Sequence, residues 1–107
     1  MPTQTENWKA SLGITGDLAV LVSTSRALVP ADNGTTIEVA NGVVLTLNAS
    51  SNLTNGVIVI GPTTGSASIS CSGVTIDGAT SLAIAAYKVA AIIPRFSSTT
   101  NYLSRVS

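Results

Sequence analysis

From Leu18 to the end, the chain is a succession of short apolar and β-branched runs cut by turn residues at intervals of about ten. That rhythm leaves no window for a long amphipathic helix and predicts an all-β domain. Candidate strands cover residues 18–23, 26–29, 35–40, 43–48, 56–61, 66–72, 74–77, 82–86, 88–93 and 101–106. Two pairs of these runs can each form one bent strand, so the expected architecture is a compact antiparallel sandwich or distorted barrel of about eight strands. Alternation is cleanest in the centre, where Ile37 and Val39 oppose Thr36 and Glu38, and where Val43, Leu45 and Leu47 oppose Val44 and Thr46. Asn41-Gly42 between those runs predicts a two-residue hairpin, because both residues tolerate positive φ. Asp32-Asn33-Gly34 and Gly61-Pro62-Thr63-Thr64-Gly65 mark the turns on either side.

The first residues read differently, dividing the chain into an N-terminal arm, 1–17, and a β domain, 18–107. Thr3 and Glu6 have the capping-box spacing, Trp8 and Leu12 fall on one helical face, and Gly13 can end the turn, so residues 4–12 are expected to form a short helix. A helix of that length is marginal alone in water. The arm therefore either packs through Trp8 onto its own sheet, is exchanged with a neighbouring subunit, or stays a disordered tail.

Val57, Ile58, Val59 and Ile60 are apolar at every position, so that strand is either covered on both faces or lies against another subunit. Ala67, Ile69 and Cys71 alternate with Ser66, Ser68, Ser70 and Ser72, giving one apolar and one hydroxyl face, with Cys71 as a small core residue. Aromatic residues are sparse, and Trp8, Tyr87, Phe96 and Tyr102 are read as core or interface anchors. The candidate interface is thus Trp8, Leu12, Val57, Ile58, Val59, Ile60, Tyr87 and Tyr102.

The chain contains no His, which removes the side chain best suited to proton transfer near neutral pH and the commonest metal ligand. Glu6, Asp17, Asp32, Glu38 and Asp77 are well separated, and most stand beside Gly or at a capping position, where Asp bonds local backbone. Cys71 is alone, and the segment Gly61 to Gly65 lacks the Lys-Ser/Thr ending of a phosphate loop. No enzyme activity, metal or cofactor is expected. Five basic residues against five acidic ones, scattered singly, offer no footprint for nucleic acid. The N-terminus has no signal-peptide pattern, and the longest apolar stretch, residues 82–93, is too short to span a membrane and carries Lys88. With so little charge to keep copies apart, the chain is expected to associate.

The stretch from Arg26 to Ser107 resembles a module recurrent in bacteriophage structural proteins, found in tail fibres and small head-associated proteins. The likeness runs through Arg26-Ala27-Leu28-Val29-Pro30-Ala31-Asp32-Asn33-Gly34-Thr35-Thr36-Ile37, Val44-Leu45-Thr46-Leu47-Asn48, Gly56-Val57-Ile58-Val59-Ile60, Gly73-Val74-Thr75-Ile76-Asp77-Gly78 and Ala86-Tyr87-Lys88-Val89-Ala90-Ala91-Ile92-Ile93. Asn48 stands where the module commonly has proline, and Tyr102-Leu103-Ser104-Arg105-Val106 replaces its final Trp-x-Val strand. The resemblance implies a virion part assembled in the host cytoplasm. A short chain starting at Met1 suits a capsid decoration, or cement, protein bound to the major capsid protein, in trimeric form by analogy. The alternative it implies is a tail-fibre or receptor-binding module touching host glycan through Tyr87 or Tyr102.

Overall fold

The computed structural model describes residues 20–95 and 98–107. The expected helix over 4–12, with Trp8 and Leu12, lies outside the described residues, as does Phe96. Within them the chain forms ten strands: β1 (Val20–Val22), β2 (Arg26–Ala27), β3 (Thr36–Val39), β4 (Val44–Asn48), β5 (Val57–Ile60), β6 (Ser66–Ser72), β7 (Thr75–Ile76), β8 (Ser81–Ala85), β9 (Val89–Arg95) and β10 (Ser98–Val106). Each expected run contains a strand, and none of the pairs merges into one. Two 3-10 turns, Pro30–Asp32 and Ala49–Ser51, sit between strands.

Two sheets face each other, with orders β1-β3-β5-β9-β10-β7 and β2-β4-β6-β8. As far as β9, successive strands alternate between the sheets, so the chain winds in a solenoid-like coil. This overturns the expectation of an antiparallel sandwich. After two steps between sheets the chain returns beside its earlier self running the same way, so β1 pairs with β3, β3 with β5, β2 with β4 and β4 with β6 in parallel. Antiparallel pairing is confined to the last part, where β8 lies on β6 and the β9-β10 hairpin lies on β5.

The turn at Asn41-Gly42 shows how the winding is achieved. The Val43 N–H donates to the Ala40 carbonyl at 3.2 Å, closing a four-residue turn with Gly42 at φ 81°. Asn41 keeps a negative φ, unlike the first central residue of a type I′ hairpin turn. Its Oδ1 instead accepts the Ser66 N–H at 3.2 Å, from the next coil. The expected turn exists, but it hands the chain to the opposite sheet rather than folding β4 back onto β3.

Alternation decides what is buried. Ile37, Val39, Val57, Val59, Ala90 and Ile92 of the larger sheet meet Leu45, Leu47, Ala67, Ile69 and Ile84 of the smaller one in a single core. Leu28 and Leu53 close one end of it through the turns. Ser51, fully buried, donates its hydroxyl to the Leu28 carbonyl at 2.6 Å and accepts the Asn48 N–H at 3.1 Å, so its polar atom costs little.

Gly56 is a critical position in the winding. It has φ 76°, and a Cβ there would collide with the Ile92 carbonyl oxygen on the neighbouring strand. Gly73 has a similar φ of 73° but open space around it. Gly56→Ala is expected to destabilise the domain by about 3 kcal/mol, and Gly73→Ala by about 1 kcal/mol, the cost of the left-handed backbone alone. Urea denaturation of the two variants checks the ranking, and equal losses would contradict the close approach at Gly56.

Candidate functional site

Three charged side chains among the described residues, Arg26, Asp32 and Asp77, hold turns. Arg26 and Asp32 form a two-pronged pair, with Nη1 to Oδ2 at 2.8 Å and Nη2 to Oδ1 at 2.9 Å. Asp32 Oδ2 also accepts the Val29 N–H at 2.8 Å. Burial pushes the Asp32 carboxyl upward, but the bonds from Arg26 and Val29 outweigh it and hold the group below the usual carboxylate range. The same pairing raises Arg26. Asp77, at φ 54°, and Gly78, at φ 82°, form a tight turn closed by bonds in both directions between Ile76 and Ala79. The Asp77 carboxylate accepts the hydroxyl and the N–H of Ser104, and those bonds lower its pKa. Asp32 and Asp77 thus serve turns, as their sequence contexts imply.

Among the described residues there is no group of three or more His, Cys, Asp or Glu that could hold a metal ion. Cys71 is half-buried in β6 with its side chain against the core, and burial raises its pKa, leaving a protonated thiol at neutral pH.

The surfaces left over are of two kinds. Outward on the smaller sheet lie Val44 and Thr46 of β4, Ser66, Ser68, Ser70 and Ser72 of β6, and Ser81, Ala83 and Ala85 of β8, in aligned rows such as Thr46, Ser70, Ser81 and Val44, Ser68, Ala83. This is a small-side-chain face of hydroxyls and methyls without charge. Outward on the larger sheet aliphatic side chains predominate, with Glu38 in the row Leu21, Glu38, Ile60. One row runs Thr36, Ile58, Ala91, Arg105 across β3, β5, β9 and β10, and a second pairs Ile93 with Leu103. A groove of about 690 Å³ lies along this face, lined among others by Asn55, Gly56, Ile58, Ala91, Ile93 and Arg105.

The candidate interface residues separate accordingly. Val57, Val59 and Tyr102 belong to the core cluster, which takes them out of the candidate interface; for Tyr102 this is the core role that the sequence left open beside the interface one. Tyr102 is inward because it stands beside Pro94 on the core side of the β9-β10 hairpin, and this burial removes it as a ligand platform. Ile58 and Ile60 point outward. Tyr87 is 78% exposed at the β8-β9 turn and has φ 62°, a left-handed conformation costly for an aromatic residue. Its N–H donates to the Pro62 carbonyl at 3.0 Å, which fixes the backbone that presents the ring. Ile93, Leu103 and Arg105 were not singled out by sequence. The signal for Ile93 is the run Val89 to Ile93, apolar at every position like Val57 to Ile60 and pairing with it; Leu103 and Arg105 carry no such local signal.

The stability contributed by Asp32 and Asp77 is present above the ordinary carboxylate pKa of about 3.9 and is lost as pH falls through their lowered values. Asp32→Ala is expected to cost about 2 kcal/mol at pH 7, the loss of charge-assisted bonds to Arg26 and Val29. In acid that penalty should shrink. Urea denaturation as a function of pH measures both, and a penalty that stays constant from pH 7 to the acid limit would contradict the pairing.

Compared with known proteins, the chain finds no match: no family model, curated protein or solved structure matches it.

Proposed function

We propose that the chain is a non-enzymatic structural part of a phage particle, a decoration protein that binds the outer capsid surface and stabilises the shell. The observation that carries this reading is how the polar chemistry is used. Asp32 and Asp77 are both tied into turns, and what remains outside is two sheet faces, one lined by Ser, Thr and Ala and the other by aliphatic side chains with Glu38 and Arg105 set singly among them. Broad, nearly uncharged surfaces bind by shape and desolvation rather than by steering a charged substrate. The resemblance of Arg26 to Ser107 to phage structural modules supports the same reading. A protein that binds the assembled shell and not its loose subunits stabilises the shell by mass action, and repetition over the lattice multiplies a modest single contact.

A second reading, a fibre or receptor-binding module recognising host glycan, is favoured by Tyr87. An exposed ring held at positive φ on a braced turn suits stacking against a sugar face.

Copy number separates the two. Quantified in purified particles, the chain should approach the abundance of the major capsid protein, and particles lacking it should lose integrity at lower temperature. A copy number typical of a tail tip would reject the decoration role. For the isolated protein, light scattering should give a trimer, and a monomer at all concentrations would count against that assembly. On a glycan array, the wild type should show no binding that Tyr87→Ala abolishes; selective binding lost in that variant, with the fold intact, would establish the second reading.

A further inference from the structure

The two sheets end in the edge strands β1, β7, β2 and β8, and β8 differs from the rest. β1, β2 and β7 are three, two and two residues long, and Arg26 lies in β2. β8 is a five-residue edge, Ser-Leu-Ala-Ile-Ala, with neither proline nor charge, and among the described residues no strand pairs with its outer side. The register shows which of its backbone groups are free. The Cys71 N–H donates to the Thr80 carbonyl at 2.8 Å and the Ala86 N–H to the Gly65 carbonyl at 3.1 Å, so the residues bonded to β6 are Thr80, Leu82, Ile84 and Ala86. Ser81, Ala83 and Ala85 therefore turn their N–H and carbonyl groups away from the sheet, and all three are exposed. The Ala85 carbonyl is engaged there, accepting the Lys88 N–H at 3.2 Å. Edges are usually blunted by charge, proline or a bulge, because a bare one templates another strand. β8 carries none of these devices.

We propose that β8 is a self-pairing edge, joining two copies of this chain antiparallel about a two-fold axis at Ala83. At that register the Ala83 N–H of each copy donates to the Ala83 carbonyl of the other, and each Ala85 N–H donates to the Ser81 carbonyl of the other. The charges argue for a second copy as the occupant and for its direction. At a two-fold axis any charge would meet its like, and β8 has none. The nearest charges beyond it are Asp77 before one end and Lys88 after the other, both exposed, and the antiparallel arrangement sets each against the opposite charge of the second copy. Tyr87, 78% exposed beside Lys88, comes opposite the Gly78-Ala79 turn of the second copy, where Gly78 has open space around it. Leu82, partly buried at the margin of the core, gains cover from the second Ile84. The joined sheets then present two faces of Ser, Thr and Ala as one continuous surface. Five residues make a small contact beside a standard interface, so it forms where copies are crowded rather than in dilute solution. It joins copies in twos whatever assembly each belongs to, and it does not depend on the capsid reading.

Disulfide trapping in a Cys71→Ala background tests this, with far-ultraviolet dichroism checking that each variant keeps its β form. Directly opposed residues that exchange both backbone bonds have Cα atoms about 5.5 Å apart, within reach of a disulfide. Under mild oxidation at high protein concentration, Ala83→Cys should link two chains roughly tenfold faster than Ser70→Cys, which lies exposed on the same outward face one strand in from the edge. A mixture of Ser81→Cys and Ala85→Cys chains should give the mixed dimer beyond its statistical share. Adding Lys88→Glu to the Ala83→Cys chain should slow the linking. Equal rates for Ala83→Cys and Ser70→Cys would overturn the proposal, in favour of face-to-face stacking if both are fast. A mixed dimer at its statistical share would overturn it through the register. A Lys88→Glu chain that links as fast as its parent would overturn it through the direction of pairing.

Discussion

The bonds from the Gly34 N–H to the Gly56 carbonyl, at 2.7 Å, and from the Gly42 N–H to the Ser66 carbonyl, at 2.8 Å, tie each coil to the next at opposite ends of a turn of the chain. A backbone that leaves one sheet for the other exposes its polar groups at the corner, and buried groups of that kind must find partners. Here they find them one coil further along. The Asn33 side chain adds to this by accepting the Asn55 N–H and donating to Thr54 Oγ1, so corner stacks on corner. Strand register within both sheets follows from those stacked corners, and register in turn decides which side chains are inside.

Once that frame is set, the scarcity of charge becomes intelligible. A coil of short strands offers many corners and few clefts, and Arg26, Asp32 and Asp77 stand where a corner needs bracing. Arg26 and Asp32 fix the turn leading into β3, and Asp77 fixes the turn out of β7 against Ser104 of β10. The remaining exterior is built mainly from hydroxyls, methyls and aliphatic side chains, with Glu38, Lys88, Arg95 and Arg105 set singly among them, a surface suited to contact over area.

Strand positions were legible because alternation and turn residues are local signals. Ser66 to Ser72, with Ala67 and Ile69 inside, was readable residue by residue. Direction of pairing was not, because Asn41-Gly42 serves equally for a hairpin and for a corner, and only the partner across the turn distinguishes them. The signal that carries the coil is a repeat: Asn33-Gly34 before Thr36–Val39 recurs as Asn55-Gly56 before Val57–Ile60, about twenty residues later, and the two turns lie against each other. The outward apolar face was half legible. Val57 to Ile60 announced a strand covered twice, while the matching run Val89 to Ile93 gained meaning only when the two proved to be neighbours in antiparallel register. Tyr102 was readable only as a core or interface anchor, because an aromatic near a chain end carries no local mark of the side it will take.

The repeated corners also constrain how such a molecule can change length. One residue added within β3 or β5 would reverse every side chain beyond it, exchanging core for exterior, whereas adding or losing a complete lap of the winding leaves both exteriors and the filling between them in phase. A lineage built this way should vary in discrete steps of one lap, with the reversed strands β8 and β9, and β10 hairpinned to β9, acting as a fixed terminus against which the laps are counted.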